Sequence, residues 1–243
     1  MTSHLSAICF NATHPSDLAR FWSGLLRWEL ADAKDGGSAA IQPPDSSGFR
    51  IRFLESQDPK TRQNQAHFDL TSAAPEDQGK TVSRALELGG KHIDVGQLPE
   101  EGHVVLADPD GNEFCVIPAG NNFLADTGVI GALACDGTQA VGYFWSETLG
   151  WPLVWDQDEE TAIQSPQGGT KLTWGGPPVA PKSGPNRLYF ELAVPAGSDT
   201  DWTTEIARLT SLGATRTAAG ADDSSPLLML DPDGNEFTVT RPR

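Results

Sequence analysis

Cysteine is scarce in this chain, and its three cysteines are spaced too widely for a disulfide framework or a zinc knuckle. Cys9, Cys115 and Cys135 are flanked by apolar residues, so we expect reduced, buried thiols. Long apolar runs are absent too, because no segment approaches the roughly 18 residues that span a bilayer. The start, MTSHLSAICF, lacks the basic region and apolar stretch of a signal peptide, which predicts a soluble cytoplasmic protein.

Positive charge is also scarce. The chain has 17 Lys and Arg against 33 Asp and Glu, which gives a net charge of -16. A nucleic-acid-binding protein needs a basic face to displace counterions from phosphates, and an acidic protein is repelled by anionic membranes. We therefore expect neither nucleic acid nor membrane as a partner. A small-molecule ligand is the expected partner, and the chain is expected to be a monomer or a homodimer.

Several catalytic motifs are missing. The sequence has no serine elbow, no CxxC and no HExxH, and LELGGKH lacks the glycine spacing of a phosphate-binding loop. These absences argue against the hydrolase, thiol-redox, zinc-protease and nucleotide-binding classes that those motifs indicate.

An internal repeat organises the sequence. The repeated segments keep their order and lie 122 or 123 residues apart, which indicates two copies of one fold. They are DPDGNEF at 108–114 and 231–237, FWSGLLRWEL at 21–30 with FWSETLGWPL at 144–153, and HFDL at 67–70 with YFEL at 189–192. Turn-forming residues cluster at 118–128, so the predicted domains are 1–120 and 127–243.

Hydrophobic periodicity predicts an α+β fold. Each half reads as a strand, a helix and further strands, twice over, which predicts four βαβββ units. Alternation in AHFDLT places Phe68 and Leu70 towards a helix and His67 and Asp69 on the opposite face. Helices on one side of a curved mixed sheet leave a concave face free, which is a usual shape for a small-molecule site. The pattern leaves open whether units pair within a half or between halves.

The order of DLARFWSGLLRWEL, HFDL, LELGG and LADPDGNEFCVI resembles the glyoxalase-like branch of the vicinal oxygen chelate superfamily. That superfamily includes glyoxalase I, extradiol dioxygenases, fosfomycin-resistance enzymes and bleomycin-resistance proteins. The resemblance covers nearly the whole chain, twice, and implies two tandem glyoxalase-like domains of paired βαβββ units. It does not choose between lyases, isomerases, oxygenases and binding proteins, because one scaffold hosts them all.

The resemblance also implies where metal ligands would lie. The corresponding positions in the two halves are Ala7, His67 and Glu113, and Ile130, Tyr189 and Glu236. Alanine and isoleucine cannot bind a metal, so His67 and Glu113 are the candidate ligands, with Asp69 as a third if its strand twists. Imidazole and carboxylate suit Zn²⁺, Fe²⁺, Mn²⁺ or Ni²⁺. We expect no cofactor, or a weakly bound divalent metal, because catalytic zinc normally has three protein ligands.

Other roles stay open for these residues. His67 could be a polar pocket residue bonded to Glu113, and the glutamates after each DPDGN turn could brace a loop. Cys115 shares the face of Glu113 and could act as a nucleophile only with His67 as its base. The predicted catalytic residues are His67, Glu113 and Asp69. The predicted substrate-binding residues are Cys115, Phe53, Trp174, Tyr189, Glu191 and Glu236, of which Phe53 and Trp174 could equally be core.

Three functions remain possible from the sequence. One is an isomerase or lyase that uses His67 and Glu113 on a small polar or aromatic molecule, for example to remove a proton beside a carbonyl. The second is a metal-free, bleomycin-resistance-like protein that sequesters a cationic drug or metabolite. The third is an accessory protein with filled pockets. In the first case His67 and Glu113 should face one cavity, with Tyr189 and Glu236 in the equivalent place.

Overall fold

The computed structural model describes residues 3–31, 37–44, 48–195, 202–217 and 226–241. The first half forms two units of one order: a strand, a helix and three further strands. The first unit contains β1 (His4–Ala12), α1 (Pro15–Leu26), β2 (Glu29–Ala31), β3 (Ser38–Gln42) and β4 (Arg50–Glu55). The second contains β5 (Ala66–Leu70), α2 (Asp77–Glu87), β6 (Lys91–His92), β7 (Val104–Ala107) and β8 (Glu113–Val116), with a short 3-10 helix at Pro99–Glu101.

The second half repeats this order, as the sequence repeat predicts. The third unit contains β9 (Ile130–Cys135), α3 (Gln139–Leu149), β10 (Leu153–Gln157), β11 (Glu160–Gln164) and β12 (Lys171–Trp174). The fourth contains β13 (Leu188–Ala193), α4 (Trp202–Ser211), β14 (Thr215–Arg216), β15 (Leu227–Leu230) and β16 (Glu236–Thr240). None of the helices in the described part of the chain is long and apolar enough to cross a membrane.

The four units form two mixed sheets of eight strands, which confirms the predicted α+β fold class. Sheet A has the order β14-β15-β16-β13-β1-β4-β3-β2, and sheet B has the order β10-β11-β12-β9-β5-β8-β7-β6. The first unit therefore pairs with the fourth and the second with the third. The central pairings, β1 with β13 and β5 with β9, are both antiparallel. This settles the question that the sequence left open: units pair between the halves.

The first helix of each half covers one sheet with an apolar stripe. In α1 the buried residues include Leu18, Phe21, Trp22 and Leu25, which recur at helical spacing and face the core. The helix begins with proline at its first position and ends at Arg27, which adopts a left-handed conformation. These side chains join the inward residues of the strands in one core.

The two repeated motifs are connected by a hydrogen bond between tryptophan and aspartate. Trp22 Nε1 donates to Asp108 Oδ2 at 3.0 Å, and Trp145 Nε1 donates to Asp231 Oδ2 at 3.3 Å. Each bond joins a helix on one sheet to a DPDGN turn of the other sheet. Burial raises the pKa of Asp108 and of Asp231 to about 6, against the effect of these donors. The repeated FWS and DPDGN segments thus hold each half together across the two sheets.

Candidate functional site

The helix-free face of sheet B presents the polar residues of HFDL. On β5, Phe68 and Leu70 are buried in the core, while His67 and Asp69 lie half-buried on the other face, as alternation predicts. Asp69 lies opposite Cys115 on β8, and opposite Ala132 on β9. The small side chains of β9 leave space above the sheet beside these polar groups.

His67, Asp69 and Cys115 form one cluster. Their ligand atoms all lie within 4.8 Å of one another, and His67 Nε2 is 3.5 Å from Asp69 Oδ1. Burial disfavours the charged imidazolium, but the interactions with Asp69 and Cys115 outweigh it and raise the pKa of His67 to about 10. The His67 side chain keeps 32% of its surface exposed, so a ligand can reach it.

This cluster fits a divalent metal ion. The set of imidazole nitrogen, carboxylate oxygen and thiolate sulfur suits zinc, with a fourth position left for water or substrate. The 3.5 Å between His67 Nε2 and Asp69 Oδ1 exceeds an ordinary N–H···O distance. Two ligands of one tetrahedral ion with bonds of about 2.1 Å lie about 3.4 Å apart, which is close to the distance between these two atoms.

An open cavity of about 620 Å³ leads to the cluster. It lies between sheet B and two connecting segments, 56–65 and 175–187. Its lining includes Arg62, Asn64, His67, Ala134, Thr173 and Pro178. His67 is the member of the cluster that lines this cavity, so a molecule that enters it meets the imidazole first.

Glu113 stands on the same face of the neighbouring strand as His67, but it is not a member of the cluster. Its Oε1 accepts a hydrogen bond from Lys60 Nζ at 2.6 Å, and its Oε2 accepts one from the Asn64 backbone N–H at 3.1 Å. Glu113 stands at the first position of β8, beside the connector 56–65, and both of its oxygens are engaged there. The structure brings Cys115 to His67 in place of Glu113.

Glu236 braces the equivalent connector in the second half, and it lines a small cavity together with Tyr189 and Trp174. It forms an ion pair with Lys182, and its Oε2 accepts the Asn186 backbone N–H at 3.1 Å. The two glutamates therefore brace the two connectors, which is the loop-bracing alternative that the sequence left open. Lysine and asparagine recur 122 residues apart, at 60 and 64 and at 182 and 186, and this signal could have revealed the bracing.

Tyr189 and Glu191 lie on the helix-free face of sheet A, away from His67. Cys9 is opposite Tyr189, and Arg52 is opposite Cys9 on the next strand. Glu191 is buried in an ion pair with Arg52, and it accepts a hydrogen bond from Ser6 Oγ at 3.0 Å. Burial raises the pKa of the Cys9 thiol and of the Tyr189 hydroxyl well above their usual ranges. The Arg52 guanidinium thus lies on this face of sheet A and balances the charge of the Glu191 carboxylate.

Phe53 and Trp174 are core residues. Phe53 is fully buried, and Trp174 keeps 2% of its surface exposed. Both belong to the core cluster, because strand alternation turns them towards the helices. This place in the core is one of the two alternatives that the sequence left open.

The comparisons with known proteins agree with the fold. The glyoxalase-like domain family matches residues 7–117 and 131–240. Glyoxalase I from Zea mays superposes with a TM-score of 0.66 at 15% identity, over 98% of this chain and 92% of that chain. A protein from Bacillus subtilis subsp. subtilis str. 168 does so with a TM-score of 0.61 at 13% identity, over 99% of this chain and 85% of its own. At such identities these structures show a shared fold alone. No curated protein matches the chain in sequence.

Proposed function

Because the chain belongs to the glyoxalase-like domain family, we propose that it transforms a small molecule on sheet B, at the cluster of His67, Asp69 and Cys115. The reaction is an isomerisation or a lyase reaction that begins with removal of a proton from a carbon beside a carbonyl group. The observation that carries this proposal is the cluster itself: three reactive side chains within 4.8 Å of one another, with His67 on the wall of an open cavity.

Asp69 and His67 have different roles in this reaction. The Asp69 carboxylate accepts the proton as the C–H bond breaks, and the electron pair moves onto the carbonyl oxygen. The His67 imidazole donates a hydrogen bond to that oxygen and stabilises the charge that develops there. A divalent ion held by His67, Asp69 and Cys115 would supply a Lewis acid for the same oxygen. Where the deprotonated carbon bears a hydroxyl group, transfer of the hydroxyl proton to the former carbonyl oxygen and return of the abstracted proton to the former carbonyl carbon complete an isomerisation.

The two helix-free faces differ in their capacity for this chemistry. On sheet B, the cluster has no arginine or lysine ion pair among the described residues. On sheet A, Glu191 is bound by Arg52, and Tyr189 faces a buried thiol. The buried Glu191 side chain keeps 8% of its surface exposed, whereas Asp69 keeps 20% and lies beside the His67 imidazole, which lines the open cavity. The proposal therefore assigns the reaction to sheet B.

The test is solvent exchange at carbon. The full-length protein is incubated in D₂O with pyruvate, pyruvamide and hydroxyacetone, and proton NMR follows deuterium incorporation beside the carbonyl. We expect exchange above the protein-free rate for at least one probe, and a loss of about 100-fold or more in His67→Gln, as for removal of a hydrogen-bond donor to the developing oxyanion. Tyr189→Phe should keep the wild-type rate. Treatment with chelator and restoration with zinc measure the contribution of a metal.

Two results would contradict the proposal: unchanged exchange in His67→Gln, or a loss in Tyr189→Phe that equals it. A third result, binding of a probe without any exchange, would favour a metal-free binding protein of the bleomycin-resistance kind. One observation favours this second function, the binding of a ligand without chemistry. Trp155 keeps 38% of its surface exposed. It lies in the same line of paired residues, running across the strands of sheet B, as His67. The line runs through the pairs His67–Ala134, Ala134–Thr173, Thr173–Ala162 and Ala162–Trp155. An exposed indole at the end of a line of small residues could stack on a planar ligand.

A further inference from the structure

Arg62 is a cation with unused hydrogen-bond donors. It lies on the connector 56–65, five residues before His67, and it is half-buried. Its Nη2 donates to the carbonyl oxygen of Gly184 at 2.8 Å and is 3.5 Å from that of Pro185. Its Nε and Nη1 have no partner in the part of the chain that the structure describes. Carbonyl groups hold the guanidinium in place but do not balance its charge.

The cations around Arg62 are all paired with carboxylates. Lys60 binds Glu113, and Lys182 binds Glu236. Arg187 binds Asp110 through Nη2 at 3.2 Å. In a chain with 33 acidic and 17 basic residues, a half-buried arginine without a carboxylate within the described ranges is unusual. The Asp136 carboxylate lines the same cavity as Arg62, but it accepts the Ala180 backbone N–H at 2.8 Å and forms no ion pair with Arg62 among the described residues.

The charge of Arg62 lies on the wall of the cavity that contains His67. Arg62 and His67 both line this cavity, which is about 620 Å³ and open to solvent. An anion that enters it can accept charge-assisted hydrogen bonds from the guanidinium while its other end lies near the imidazole. Because the protein as a whole repels anions, capture of an anionic molecule depends on this local cation.

We propose that Arg62 binds the carboxylate of the molecule that reaches His67, so that the substrates are small carbonyl-containing carboxylic acids such as 2-oxo acids. This inference rests on the proposed function and specifies the substrate class of the same site. A single guanidinium balances one negative charge. A phosphate dianion would need a second cation, and the neighbouring lysines and Arg187 are already paired. The structure therefore favours a carboxylate over a phosphate group.

The experiment compares a charged probe with its neutral counterpart. Pyruvate and pyruvamide have the same reactive carbon, but only pyruvate has a carboxylate. For deuterium exchange by the full-length protein, Arg62→Gln should raise the KM for pyruvate about tenfold or more and leave kcat nearly unchanged, since the lost interaction is one charge-assisted hydrogen-bond contact. The KM for pyruvamide should change little. Arg62→Lys should restore part of the affinity, and Arg20→Gln, an exposed arginine on α1, should match the wild type.

The inference would be overturned if Arg62→Gln affected both probes equally or neither of them. Competition by inorganic phosphate that is stronger than competition by acetate, and that disappears in Arg62→Gln, would overturn the choice of a carboxylate. Binding of pyruvate, followed by NMR line broadening of its methyl signal, separates this inference from the proposed function. Binding that requires Arg62 without any exchange would support the inference and contradict the chemistry. Exchange whose KM for pyruvate does not change in Arg62→Gln would contradict the inference and support the proposed chemistry. Failure of pyruvate to bind would overturn the inference.

Discussion

Glu113 and Cys115 are two residues apart on β8 and belong to one face of their strand, yet their roles differ. Both oxygens of Glu113 are engaged by Lys60 and Asn64 on a connector. Cys115, deeper in the strand, lies beside His67 and Asp69. A carboxylate with both oxygens satisfied is poorly placed to serve as a metal ligand or base, because it would have to give up these bonds first. The position along the strand therefore places Cys115, and not Glu113, in the cluster with His67.

A second carboxylate illustrates how pairing affects stability. Glu205 on α4 (Trp202–Ser211) is buried and accepts hydrogen bonds from Arg208 Nη2 at 2.7 Å and from the Ser3 backbone N–H at 3.1 Å. Burial alone would raise its pKa, but these donors outweigh burial and lower the pKa of Glu205 to about 2. Its contribution to the free energy of unfolding is therefore complete above about pH 4.5 and is lost as the pH falls towards 2.

We expect Glu205→Gln to lower the free energy of unfolding by about 1.5–3 kcal/mol at pH 7, the range for hydrogen bonds to charged groups. Urea denaturation of wild type and variant measures this difference, which should shrink as the pH is lowered from 7 to 3. Glu87→Gln, an exposed glutamate near the end of α2, serves as the control and should change little. A difference that stays constant with pH would show that Glu205 acts through packing alone.

At the scale of the elements, α3 approaches sheet B so closely that one position admits only glycine. A Cβ atom at Gly142 would lie 1.9 Å from Thr161 Oγ1 and 2.6 Å from Thr161 Cβ. Thr161 is on β11 and is itself buried, so it has little room to move. This contact sets the distance between α3 and the sheet and thereby the position of β11 and β12 beneath the cavity.

Substitutions of two helical glycines test this contact. Gly142→Ala should lower the free energy of unfolding by about 1–3 kcal/mol, as for an overpacked core. Gly79→Ala on α2 should instead be neutral or stabilise by up to about 1 kcal/mol, because alanine favours a helix. No atom lies within 4 Å of a Cβ at Gly79. Urea denaturation of both variants measures the contrast, and equal effects of the two substitutions would contradict the close approach.

At the scale of the whole molecule, the two sheets each combine one unit from each half of the chain. The bonds of Trp22 to Asp108 and of Trp145 to Asp231 then connect the sheets within each half. The two connectors, 56–65 and 175–187, meet beside the cavity of sheet B, where Arg62 donates to Gly184. Both halves thus line the proposed site, although its cluster of His67, Asp69 and Cys115 comes from the second unit alone.

The sequence was sufficient to predict the units and the orientation of HFDL. The repeat predicted four units, and alternation predicted that His67 and Asp69 face away from Phe68 and Leu70. The pairing of units was not predictable, because two similar halves contain the same strands whichever way those strands combine. The partners of Glu113 were missed because Lys60 and Asn64 lie on a connector without hydrophobic periodicity, where only their recurrence as Lys182 and Asn186 marks them. Arg62 was missed because it lies on the same connector.

The central claim is that ligands bind on the helix-free face of sheet B and not on that of sheet A. The most direct test is amide NMR of the uniformly labelled full-length chain, titrated with pyruvate. We expect the largest shift changes at residues 62, 67, 69, 115 and 134, which belong to the cavity and the cluster. Shift changes centred instead on residues 9, 52, 189 and 191 of sheet A, or no changes near His67, would contradict the account.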